Sequence, residues 1–141
     1  MLHPDHRWIL VEGAPLYVMR FPSQTTDQEL RGLIEAREHW ARECRHTHAW
    51  LVDLSAVEKV PASQRRMFGE HLREMRPCDI RYNAGSGIVV GSPIVRGILT
   101  AVFWITPPEF PHSVHKYVDD ARDWCRAQLA RRLDSGMAMH P

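Results

Sequence analysis

The stretch from Ile88 to Ile105 constrains this chain more than any other, because it reads as one strand feeding one helix. Gly85-Ser86-Gly87 is a turn signal, and Ile88-Val89-Val90 is a short, wholly apolar, β-branched run that Gly91 breaks. Ser92-Pro93 then opens a helix. The serine hydroxyl can accept a backbone N–H as N-cap, and proline fits the first helical position, where no N–H is needed. Ile94, Val95, Ile98, Leu99, Val102 and Phe103 follow at helical spacing and define one apolar face. A buried strand followed by such a helix is half of an α/β layer structure.

Around this unit the chain alternates. Arg7–Val11 and Leu16–Phe21 are strand-like and separated by Glu12-Gly13-Ala14-Pro15, which predicts a hairpin. Apolar residues on both sides of Leu16–Phe21 imply cover on each face. Thr26–His46 is the clearest helix: Thr26-x-x-Glu29 fits a capping box, and Leu30, Leu33, Ile34, Trp40, Ala41 and Cys44 form its stripe. Ala49–Leu54 reads as a central strand, with Asp53 the one charged residue in its run. Ser55–Val60 is a loop. A second helix starts near Pro61–Ser63 and is expected to end at Pro77, with Cys78–Asn83 leading to the next strand. Thr106–Pro111 is a proline-stiffened loop, His112–Tyr117 a short edge strand, and Asp119-Asp120 the acidic first turn of a last helix. Asp134–Pro141 is expected to be a frayed tail. The expected order is ββαβαβαβα, an α/β fold with a mixed sheet of about five strands and four helices.

With 141 residues the chain makes one domain, residues 1–141. Its formal net charge is +1, so it carries no electrostatic footprint for nucleic acid, and no nucleic-acid partner is expected. The longest apolar stretch, Ile98–Ile105, is far short of the roughly 20 residues that span a bilayer, so no membrane insertion is expected. Cys44, Cys78 and Cys125 form no C-x-x-C pair. Cys44 and Cys125 fall in phase with apolar helix faces and read as buried, reduced thiols. With a polar N-terminus that lacks a signal peptide, this points to the cytoplasm.

The element order resembles the SpoIIAA-like fold of STAS-domain anti-sigma-factor antagonists and SEC14-like domains. Asp53-Leu54-Ser55-Ala56-Val57 is similar to the D-L-S-x-V ending of the central STAS strand. Ser92–Leu129 is similar to the C-terminal half of a group of small bacterial SpoIIAA-like proteins of undefined role, in which a Ser-Pro-x-x-Arg-Gly helix precedes a proline-rich loop and an acidic-capped helix. The resemblance covers about the last two thirds of the chain. It implies a non-enzymatic protein-interaction or regulatory domain; its SEC14-like branch implies a small-molecule or lipid-binding module instead. In phospho-regulated STAS proteins a D-S-S-G-L motif follows, and its second serine is phosphorylated. Counted without gaps, its Asp, Ser, Ser and Gly fall on Pro61, Ala62, Ser63 and Gln64, so Ser63 alone matches as a possible phosphosite.

Ser63 lies at a helix start, where a hydroxyl ordinarily caps; phosphorylated, it would add an anion beside Arg65 and Arg66. With Ser55 these arginines form a candidate anion or partner surface, joined by Ser92 and Arg96 at the start of the Pro93 helix. The plain reading is that Ser92 caps and Arg96 pairs locally. His46-x-His48 and His112-x-x-His115 have no carboxylate or thiol partner at a recognised ligand spacing, so they read as surface histidines, and neither metal nor cofactor is expected. Asp53, Ser55 and a histidine can be drawn as a triad, but no G-x-S-x-G context supports one, and no enzymatic activity is expected. Phe103, Trp104, Ile105 and Phe110 are more apolar than one buried helix face requires. They go against a second copy or a protein partner, under the Pro107-Pro108 loop, or into a pocket for a small apolar ligand.

Overall fold

The computed structural model describes the backbone of residues 3–139 and the side chains of residues 3–135. The elements are β1 (Ile9–Val11), β2 (Leu16–Arg20), α1 (Asp27–Glu43), β3 (His48–Leu54), α2 (Ala62–Tyr82), β4 (Asn83–Val90), α3 (Pro93–Ile105), β5 (His112–His115) and α4 (Val118–Met139). The sheet runs β1-β2-β3-β4-β5 in simple sequence order. The β1–β2 hairpin is antiparallel and every other pair is parallel, which is the mixed five-stranded sheet with four helices expected.

Sequential strand order decides the layers. Parallel neighbours joined by crossovers of one hand put every crossover helix on the same face. Thus α1, α2 and α3 cover one face, where Trp50, Val52, Ile88 and Val90 point, and α4 alone covers the other. The second face is lined by small residues so that one helix can approach closely. A Cβ on Gly85 would stand 3.0 Å from the Trp124 ring, and one on Gly87 would stand 2.9 Å from Cys125 Sγ and 3.0 Å from the Ala121 carbonyl.

That contact corrects the sequence reading of Gly85-Ser86-Gly87 as a turn. All three residues lie inside β4, because the glycines make room for α4. The second helix is corrected as well. It continues through Pro77 to Tyr82, and its last turns are fixed by the Asp79–Arg37 ion pair (3.1 Å) and by Cys78 against the core. At the C-terminus α4 runs to Met139, past Asp134, where the tail was expected to begin; residues 140–141 lie outside the described residues.

Local signals hold where local chemistry suffices. Thr26 and Glu29 form both bonds of the capping box, at 3.0 and 3.1 Å. Ser92 Oγ accepts from the Ile94 N–H at 3.2 Å, with Pro93 at the first helical position. Cys44 and Cys125 are buried free thiols, as their helical phase predicts. None of the described helices is long and apolar enough to cross a membrane.

Candidate functional site

The three-helix face does not close completely. One apolar cluster forms around Tyr17, Trp40 and Trp50 under α1, and another around Ile88, Val95 and Leu99 under α3. Between them lies a cavity of about 160 Å3. Trp50, Val52, Leu33, Leu99, Phe103 and Phe110 are among its walls. It reaches the segments that follow the carboxyl ends of β2 and β3, through Phe21, Ser23, Lys59 and Val60. The carboxyl ends of parallel strands are the usual place for ligands in α/β sheets, because the loops there diverge from the layers on either side.

The cavity wall is apolar with a few placed polar groups. Among the described residues, Arg37, Lys59 and Arg65 are its charged lining side chains, and none of the lining residues is a carboxylate. Arg37 is buried and held on three sides. Its guanidinium donates to His71 Nε2 at 2.8 Å and to Asp79 Oδ1 at 3.1 Å, and lies 5.2 Å over the Trp50 ring. Arginine only donates, so His71 Nε2 is the acceptor and its Nδ1–H donates to Glu38 at 3.0 Å. Burial first, and the Arg37 charge second, hold the His71 pKa well below its ordinary value, consistent with that neutral tautomer. Among the described residues, the buried Trp50 Nε1 in the cavity wall and Asp79 Oδ2 behind Arg37 have no hydrogen-bond partner. A buried orphan N–H costs free energy that an incoming acceptor would recover.

The residues picked out from sequence fall into separate places. Phe103 and Phe110 line the cavity, whereas Trp104 and Ile105 do not. They are 84 % and 81 % exposed, neither under the proline loop nor in the pocket. Ser63 is not a cap: the N-cap residue is Pro61, and Ser63 Oγ donates to Asp27 at the start of α1 (3.1 Å), since that carboxylate is within reach across the helix pair. Arg65 donates to the Val60 carbonyl at the cavity rim, while Arg66 is exposed. Ser55 sits in the turn after β3, where its backbone packs against Gly91, next to Ser92; Arg96 is exposed one turn into α3. Asp53 is held by the Arg20 guanidinium (3.2 Å) and the Ser55 amide (3.0 Å).

The histidines need a larger correction. His48 is 4 % exposed, so it is not the surface residue expected, and His71, which no sequence motif singles out, is buried too. His46 is half-buried, and Cys44 lies beside both it and His48, at 3.5 and 3.6 Å from their Nδ1 atoms. The signal was a Cys-x-His-x-His run across the α1–β3 junction. It is not a familiar ligand spacing, and Cys44 also fits the apolar stripe of α1, which hides its second neighbour set.

No protein-family model matches this chain, no curated protein matches it, and no solved structure matches it.

Proposed function

We propose that this protein is a non-enzymatic binding module for a small apolar acid, a single aromatic ring or short acyl chain carrying a carboxylate. The observation that carries the reading is the cavity of about 160 Å3 between α1, α2, α3 and the sheet. An apolar protein cavity of about 150 Å3 is large enough to take benzene. The charged groups in the lining are all cationic, and two of them, Lys59 and Arg65, stand at the rim where a carboxylate would meet water. Arg37 is already engaged by Asp79 and serves as a fixed wall rather than a free anion partner. The resemblance to SEC14-like domains supports the same class of function.

The test is an NMR titration of 15N-labelled protein with 3-phenylpropanoate and with its neutral isostere 3-phenylpropanol. Saturable shifts of the Trp50 indole N–H and of the Val52 and Leu99 amides are expected from both. The acid should bind several-fold more tightly, and Lys59→Gln with Arg65→Gln should abolish that preference. Absence of saturable shifts with either compound would overturn the reading.

A second reading, self-association, is favoured by the outer face of α3. Ile94, Trp104 and Ile105 are 72 %, 84 % and 81 % exposed along one helix, an apolar surface that water covers poorly. The two readings use opposite faces of the same helix and are compatible.

A further inference from the structure

We propose that Cys44, His46 and His48 form a three-ligand site for Zn2+, at the opposite end of the sheet from the cavity mouth. The three ligand atoms all lie within 4.8 Å of one another. Cys44 Sγ stands 3.5 Å from His46 Nδ1 and 3.6 Å from His48 Nδ1. Tetrahedral zinc, with Zn–S near 2.3 Å and Zn–N near 2.05 Å, requires a sulfur-to-nitrogen edge of about 3.6 Å. Both edges are therefore already set, and a side-chain rotation closes the nitrogen-to-nitrogen edge.

The scaffold explains the arrangement. Cys44 is the C-cap residue of α1, and its own N–H is tied to the Trp40 carbonyl. His48 opens β3, so the short turn between them folds all three side chains inward. The His46 carbonyl gathers the group: Cys44 Sγ–H (3.4 Å) and His48 Nδ1 (3.1 Å) both approach it. His46 Nε2 lies 2.9 Å from Tyr17 Oη, and Tyr17 Oη lies 3.2 Å from His3 Nδ1. A hydrogen bond on the far nitrogen of a ligating imidazole fixes its ring and tautomer. Trp40 packs edge-on against His48, with ring centroids 4.8 Å apart, and lowers the local dielectric.

The proton positions follow from the hydrogen bonds. His48 Nδ1 faces the His46 carbonyl, which only accepts, so that nitrogen carries the ring proton, and Cys44 Sγ–H donates to the same carbonyl. Metal binding requires both ligand atoms to give up those protons. Loading is therefore balanced as follows. Zn2+ gains bonds to Sγ and two imidazole nitrogens, the Cys44 proton leaves to solvent, and the His48 ring proton is exchanged from Nδ1 to Nε2. One proton is released per ion. One thiolate and two imidazoles are a borderline-soft set that suits Zn2+ over Mg2+ or Ca2+. His46 is half-exposed, which leaves the fourth position to water or a small ligand.

The experiment uses tag-free full-length chain and two ions. Calorimetry with Zn2+ in buffers of different ionisation enthalpy should give one equivalent and one proton released. Co2+ should produce the intense visible bands of tetrahedral cobalt and a sulfur-to-cobalt charge-transfer band. Cys44→Ala should remove the charge-transfer band and weaken Zn2+ at least tenfold, while Cys78→Ala should leave both intact. Because Cys44 is buried, half-buried His46 provides a second variant: His46→Gln should lose at least tenfold in affinity with an unchanged unfolding temperature. Cobalt bound without the charge-transfer band, or zinc bound equally well by Cys44→Ala, would overturn the assignment.

Discussion

Gly87 and Gly32 are the same residue type under opposite constraints. A methyl on Gly87 would press on Cys125 Sγ at 2.9 Å and on the Ala121 carbonyl at 3.0 Å, both fixed parts of the α4 contact. A methyl on Gly32, in the middle of α1, would meet nothing within 4 Å. Gly87→Ala should therefore cost about 1–3 kcal/mol through overpacking. Gly32→Ala should stabilise by about 0.5–1 kcal/mol through the lower entropy of the unfolded chain. Chemical denaturation of the two variants reads both signs. The pair also marks what sequence can tell at this scale. Ser92 and Thr26 were legible because a cap bonds two or three residues away, inside any window a reader inspects. Gly85 and Gly87 were not, because the reason for them is α4, more than 30 residues later. The buried histidines were hidden in the same way: His71 is held by Arg37 and Glu38, both on another helix.

Helix α3 shows how an element can be legible in kind and open in use. Its cap, its period and its apolar excess all follow from Ser92–Ile105, and the excess resolves into two faces. Val95, Leu99 and Val102 bury inward, and Phe103 closes the cavity. Ile94, Trp104 and Ile105 remain in water, and nothing within residues 92–105 says which apolar positions have a partner inside the fold. If the outer face joins two copies, light scattering at rising concentration should show a dimer, and Trp104→Ala with Ile105→Ser should return it to monomer without lowering the unfolding temperature of the monomer. A wild-type chain that stays monomeric throughout the concentration series would remove self-association as a role for this face. The overrun of α2 past Pro77 has the complementary cause. Proline interrupts the local pattern, but Asp79 pairs with Arg37 of α1, 42 residues away, and that partnership carries the helix about one and a half turns further than local rules predict.

At the scale of the whole molecule, the layer plan was readable because alternation and crossover handedness are general rules, whereas the cavity was not, because it is a gap between two clusters and no residue type encodes a gap. The same holds for the acid response of the fold. His48 and His71 come from different elements, and both are buried on the three-helix side without charge. In the unfolded chain each imidazole protonates near 6.5; in the fold burial carries His48 down to about 3 and His71 well below its ordinary value. The unfolded state therefore binds more protons below pH 6.5, and stability present above that value is lost as pH falls. Between its two values His48 removes about 1.4 kcal/mol per pH unit, or about 2 kcal/mol by pH 5, and His71 adds a loss of the same sign. Glu38 acts in the opposite sense. Burial raises its pKa, so its protonation favours the folded chain at lower pH, and it softens the loss only towards the carboxylate range. Against a total stability of about 5–15 kcal/mol, the His48 loss alone is a substantial fraction of the whole. Urea midpoints measured from pH 7.5 to 4.5 should fall below pH 6.5, and His48→Gln should make that fall shallower. A flat profile from pH 7 to 5 would mean that the two imidazoles take up protons inside the fold, and with it the neutral His71 tautomer that anchors Arg37 at the cavity wall would be wrong.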